Sequence, residues 1–141
     1  MSATAFDFEK ARFNMIEQQI RPWEVLDATV LALLGQIKRE TFVPPAYQAL
    51  ALSDLEIPLS QPAVEGECML APKVEARTLQ DLALKPTDNV LEIGTGSGYM
   101  AALLGRLSRQ VLTLEINPAL AETARANLAR AGAGNVQVKT A

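Results

Sequence analysis

Residues 89–100 read "NVLEIGTGSGYM": a short apolar run, an acid, then glycines at 94, 96 and 98 before an apolar segment resumes. Glycine lacks a Cβ, so three of them on alternate positions let the backbone turn tightly and let a ligand approach it closely. An apolar run before the glycines and "SGYMAALLGRLS" after them predict a strand, a loop and a helix, the last offering unpaired amides at its start. Working outward, "QVLTLEI" predicts a second strand and "PALAETARANLARAG" a second helix. "NVQVKT" predicts a third strand. Asn117 stands as N-cap of the second helix, Pro118 at its first position and Gly132 just past its end. Strands alternating with helices in this way predict parallel pairing through crossover helices.

Upstream, residues 5–20 place Phe6, Phe13, Ile16 and Ile20 near one helical face, with Pro22 closing the segment. A second helix starts at Asp27 and carries Val30, Leu31, Leu34 and Ile37 inward. Pro44 and Pro45 turn the chain, and residues 53–73 form a loop-rich connection. "KVEARTLQDLAL", with Val74, Leu79 and Leu82 among polar residues, then predicts a helix leading into the "KPTD" turn. The expected fold class is α/β: a helical, loop-rich N-terminal region over 1–72, then a partial Rossmann-like cofactor-binding domain over 73–141 with order βαβαβ.

Composition narrows the chemistry. The 141 residues are 49% hydrophobic and carry a net charge of −3, which gives no general basic field for nucleic acid. No apolar stretch approaches the ~20 residues of a membrane helix, and "MSATAFDFEKARF" does not read as a secretory signal. A cytoplasmic protein with neither nucleic-acid nor membrane partners is expected. There is no histidine, which removes His-based triads and His metal ligands, and the single cysteine, Cys68, forms no internal disulfide. No metal site is expected. Cys68 reads first as a small buried residue and second as a reactive thiol.

The glycine pattern is GxGxG, because Tyr99 takes the sixth position where a dinucleotide loop needs glycine. Glu92 stands two residues before Gly94, where a carboxylate adds unfavourable charge beside a pyrophosphate. A ligand without phosphates and with a cationic centre fits better, and S-adenosylmethionine has both properties. Glu115 ends the second strand, 21 positions after Gly94, where an acid accepts hydrogen bonds from ribose hydroxyls. The competing readings are a tight turn that only packs helix on strand, an NAD-dependent dehydrogenase, and for Glu115 a solvated acid.

"VLEIGTGSGYMAALLGRL" at 90–107 and "LTLEINPALAETARANL" at 112–128 resemble the two cofactor motifs of the protein-L-isoaspartate O-methyltransferase family. "MIEQQIRP", "IKRETFVPPAY" and "IPL" resemble its helical N-terminal region. The resemblance implies a seven-stranded Rossmann-like methyltransferase of which this chain is an N-terminal fragment, ending inside or just after the third strand. It implies methyl transfer from S-adenosylmethionine to the carboxylate of an isoaspartyl residue in a protein or peptide, a repair reaction. It places Glu92, Gly94, Thr95, Gly96, Ser97 and Gly98 on the methionine and ribose side of the cofactor, with Glu115 and Ile116 at the ribose. The family's Thr-x-Ser before Ala-Pro or Gln-Pro is here "CML", with Cys68 at the threonine position and Leu70 at the serine position. A leucine neither donates nor accepts a hydrogen bond, so no catalytic residue is assigned. The alternatives are a relative that methylates another acceptor and one that binds without reacting. Lys73 reads as a solvated surface lysine or as a receiver for a carboxylate. A sheet ended after three strands leaves an unpaired edge, through which a homodimer is expected.

Overall fold

A side chain caps the start of the first helix: Asp7 accepts a hydrogen bond from the Lys10 amide at 3.0 Å. The protein is described here by a computed structural model covering residues 5–141. Helix α1 (Phe8–Met15) continues into a wider π-helical turn, Ile16–Ile20, and a 3-10 turn, Arg21–Trp23. Half of the expected inward face holds: Ile20 is buried and Ile16 packs against the core, while Phe6 and Phe13 are 52% and 64% exposed and Arg12 and Met15 are buried in their place. Two causes account for this. Arg12 grips Glu40 through two 2.8 Å hydrogen bonds and turns its own face inward. The π turn bonds i to i+5, which brings Met15 and Ile20, five apart, to the same side.

Helix α2 (Ala28–Gln36) starts as expected, with Asp27 accepting from the Thr29 and Val30 amides, and it buries Val30, Leu33 and Leu34. The two prolines initiate a 3-10 turn over Pro45–Leu50. The loop-rich segment contains a short antiparallel pair, β1 (Ile57–Pro58) with β2 (Cys68–Met69). Helix α3 (Pro72–Leu82) buries Pro72, Glu75, Ala76 and Leu79. Val74 and Leu82 are exposed, so a glutamate takes a position that apolar periodicity alone would not give it.

The expected βαβαβ order is present. Strands β3 (Asn89–Ile93), β4 (Gln110–Glu115) and β5 (Val136–Thr140) are all parallel in the order β3-β4-β5. Helices α4 (Tyr99–Leu107) and α5 (Pro118–Arg130) make the crossovers. Alternation puts Val111, Thr113 and Val138 against those helices and leaves Leu91 and Ile93 outward, 60% and 73% exposed. Helix α5 has the predicted Asn117 cap and a Schellman end, in which Ala133 donates to the Leu128 carbonyl at 3.0 Å and Gly132 sits at φ +71°. Helix α4 lies very close to β5: a Cβ on Gly105 would come within 2.8 Å of Val136 Cγ2. One cluster of buried apolar side chains runs from Met15 through Leu103 to Val138 and ties the N-terminal turns to the sheet.

Candidate functional site

The sheet ladder itself carries the chain into the glycine loop, because the amides of Gly94 and Thr95 both donate to the Leu114 carbonyl, at 2.8 and 3.2 Å. Gly96 and Gly98 then adopt φ of +56° and +90°. A Cβ on Gly98 would meet Leu128 Cγ at 3.1 Å and the Ala124 carbonyl at 3.4 Å, so this glycine lets α4 start directly against α5. At Gly94 no atom lies within 4 Å of the Cβ position, leaving the backbone open to an incoming group. Asn127 donates to the Ser97 carbonyl at 3.0 Å and holds the loop from the α5 side.

Below the loop a hydrogen-bond chain crosses the sheet. Thr113, fully buried, donates to Glu92 Oε1 at 2.7 Å, so its oxygen accepts from the Thr95 hydroxyl at 2.6 Å. The parallel register that pairs Glu92 with Thr113 makes this contact. Burial pushes the Glu92 carboxyl up to about 7; the Thr113 hydroxyl opposes the shift, and the carboxylates of Glu75 and Glu115 add to it. Glu115 is buried and accepts from the Gly96 amide at 2.9 Å and the Asn117 amide at 3.0 Å. It therefore braces the loop and the start of α5 together, and the reading of a merely solvated acid does not hold.

Beside the loop lies a cavity of about 340 Å³. Five of the sequence-derived residues, Glu92, Gly94, Thr95, Gly96 and Ser97, line it, together with Cys68, Leu70, Glu75 and Met100. Gly98 is buried beneath Leu128, Glu115 sits behind the loop, and Ile116 points away, 82% exposed. Among the described residues no lysine or arginine lines this cavity, while two carboxyl groups do. Glu75 is neutralised by Arg39 and Glu92 titrates near neutral pH, so the cavity presents an acidic wall with no free cation to hold a pyrophosphate, which supports the sequence reading against a dinucleotide.

Of three residues near the cavity, Lys73 departs from its first reading. Cys68 is half-buried, with Sγ 3.7 Å from Glu56 Oε2; burial first and Glu56 second push the thiol up, which disfavours the reactive thiolate. Lys73 is anchored rather than solvated, with Nζ 3.1 Å from Asp54 Oδ2 and 4.2 Å from the Trp23 ring centre. Leu70 is 48% exposed and places an apolar side chain in the cavity wall.

Glu75 and Thr113 escaped the sequence reading. Their signal was a polar residue on a buried phase: Glu75 keeps helical step with Pro72 and Leu79, and Thr113 alternates with Val111 and Glu115. Burial pushes the Glu75 carboxyl up, and the neighbouring Arg39 guanidinium pulls it back.

The family model for protein-L-isoaspartate(D-aspartate) O-methyltransferase (PCMT) matches residues 10–141. The protein-L-isoaspartate O-methyltransferase of Herpetosiphon aurantiacus is 37% identical over 131 residues, covering 93% of this chain and 57% of the relative. Protein-L-isoaspartate O-methyltransferase 1 of Rhodopseudomonas palustris is 40% identical over 139 residues, covering 99% of this chain and 55% of the relative. The chain thus spans somewhat more than half the length of these relatives. Among solved structures, a protein-L-isoaspartate O-methyltransferase superposes with TM-score 0.69 at 25% identity, covering 95% of this chain and 42% of that one. A Plasmodium falciparum protein described in the same terms, solved in complex with S-adenosyl-L-homocysteine, superposes with TM-score 0.70 at 20% identity, covering 97% of this chain and 64% of that one, which speaks for the fold. A family match over residues 10–141, nearly the whole chain, makes this chain a member of the protein-L-isoaspartate(D-aspartate) O-methyltransferase family.

Proposed function

We propose that this chain carries the S-adenosylmethionine site of a methyltransferase whose acceptor is the free carboxylate of an isoaspartyl residue. The observation that carries the reading is the cavity beside the glycine loop, lined by Glu92 and Glu75 and by no cationic side chain. S-adenosylmethionine, when bound, supplies a methyl group made electrophilic by its sulfonium. Open backbone at Gly94 admits the ligand, and Glu92 offers negative charge to its cationic end. Glu115, which braces the loop through the Gly96 and Asn117 amides, takes ribose hydroxyls in this reading with the lone pairs those amides leave free. A carboxylate acceptor is itself the nucleophile, so no proton has to be removed and no histidine is needed. The protein's share of the work is alignment and the exclusion of water by Leu70, Met100 and Leu104 along the cavity.

Leu70 favours a second reading: with no hydroxyl on that wall, the acceptor differs from an isoaspartyl group or transfer has been lost. Transfer of labelled methyl from S-adenosylmethionine to an isoaspartyl peptide separates the two. The assay is run on a full-length protein carrying this chain, since the 141 residues alone are expected to be weak or inactive. Labelling by the unaltered full-length protein supports the first reading. Labelling that requires Leu70→Ser supports the second, and none from either full-length form rules out the isoaspartyl acceptor.

Among the described residues no helix is long and apolar enough to cross a membrane, and we assign the chain to the cytoplasm. Exposed Leu91 and Ile93 on edge strand β3 support pairing between two copies. Sedimentation that stays monomeric at high concentration overturns that pairing.

A further inference from the structure

Arg39 is fully buried and spreads its guanidinium over four separate pieces of the chain. Its Nε donates to the Ala51 carbonyl and one terminal nitrogen to the Leu70 carbonyl, each at 2.8 Å. The other terminal nitrogen bonds the buried Glu75 carboxylate. The guanidinium carbon lies 4.9 Å from the centre of the Tyr99 ring, and Tyr99 directly follows Gly98. Leu70 and Glu75 both line the cavity, and Tyr99 opens the helix that the glycine loop feeds. A single side chain therefore touches the apolar wall, the acidic wall and the back of the loop.

The Arg12–Glu40 pair is also buried and also joins distant segments, yet among the described residues Arg12 hydrogen-bonds only Glu40 and Glu9, neither of which lines the cavity. It provides the contrast between a pair that only holds the fold and one that sets a site. Arg39 uses both the planar fork and the flat face of guanidinium. A lysine offers one compact charge and cannot hold the Leu70 carbonyl, Glu75 and the Ala51 carbonyl together.

We propose that Arg39 is a positioning residue, whose fork fixes the wall carrying Leu70 at a set distance from the glycine loop. This rests on the reading of the cavity as the transfer site. Loss of the fork frees the segment 68–71 without removing any group that faces the ligand.

Cys68, the chain's single cysteine, lies two residues from Leu70 and reports on that wall. Its labelling by a soluble disulfide reagent is compared in the unaltered chain, Arg39→Lys, Glu75→Gln and Arg12→Met, each verified as folded by circular dichroism at the labelling temperature. The expected result is about tenfold faster labelling in Arg39→Lys, the scale of one lost charge-assisted hydrogen bond. Arg12→Met should stay within about twofold even if its thermal midpoint falls as far, because global loosening alone does not open the wall. If Arg39→Lys does not fold, Glu75→Gln gives the reading, since it removes the charge partner and keeps the shape. Unchanged labelling in the folded Arg39 or Glu75 variant, or equal acceleration in Arg12→Met, overturns the proposal. Titration of the unaltered chain with S-adenosylhomocysteine runs alongside. Absence of binding there refutes the methyltransferase reading, while the labelling contrast still decides whether Arg39 holds the wall.

Discussion

Replacing Glu92 by glutamine should flatten a slope in the pH dependence of stability. In the folded chain burial holds the Glu92 carboxyl at about 7, against an ordinary value of 4.5. At about 1.4 kcal/mol per pH unit, that displacement is worth about 3 kcal/mol. A raised folded value means that the unfolded chain loses its proton first. Stability from this group is therefore fully present below pH 4.5, declines as pH rises, and levels off above about 7. Glu9, Glu40 and Glu67 shift downward, and their contribution is lost only as pH falls below the ordinary carboxylate range, outside this window. Glu75 shifts upward and adds a loss of the same sign, but it does so in both proteins. The difference between them thus isolates Glu92. Urea titrations at pH 5, 6, 7 and 8 provide the measurement, with ΔG taken at a common denaturant slope. Glutamine keeps the oxygen that accepts from Thr113, so the Thr95–Thr113 chain survives the change. Parallel pH profiles for the two proteins, or a wild-type profile that rises from pH 5 to 7, would refute the reasoning.

Truncating Leu103, fully buried in the shared core, to alanine should lower stability by about 3 kcal/mol in the same titration. Gly98→Ala should lower it by roughly 1–3 kcal/mol, because the new Cβ enters at φ +90° and 3.1 Å from Leu128. Asn117→Ala removes the cap to Ala119 and the bond from Nδ2 to Glu67, and should lower the midpoint by an amount equivalent to about 1 kcal/mol.

The sheet and its crossovers were legible because each signal was local. Asn117, Pro118 and Gly132 mark both ends of α5 by cap chemistry alone, and alternation in "QVLTLEI" assigns the two faces of β4. The glycine loop was legible for the same reason, since positive φ at 94, 96 and 98 leaves few other residues suitable. The N-terminal helix was misphased because its inward face is fixed by a non-local partner, Glu40, and by a π turn that breaks the 3.6 period. Glu75 went unseen for a related cause: what makes a glutamate acceptable at that depth is Arg39, 36 positions earlier in the chain. Lys73 likewise takes its place from Asp54 and Trp23, neither of which is near it in sequence. Local chemistry thus revealed the cofactor loop, whereas the opposite wall of the cavity was set by long-range ion pairs.

Calorimetric titration with S-adenosylmethionine tests the central claim, that the acid-flanked glycine loop binds a sulfonium nucleoside rather than a dinucleotide. The expected result is one-site binding tighter than about 1 mM, equivalent to about −4 kcal/mol. Gly96→Val should weaken it about tenfold or more, since a Cβ there meets Leu59 at 3.2 Å and strains the loop at φ +56°. No heat of binding at millimolar ligand from the folded chain, or equal or tighter binding of NAD, would contradict the account.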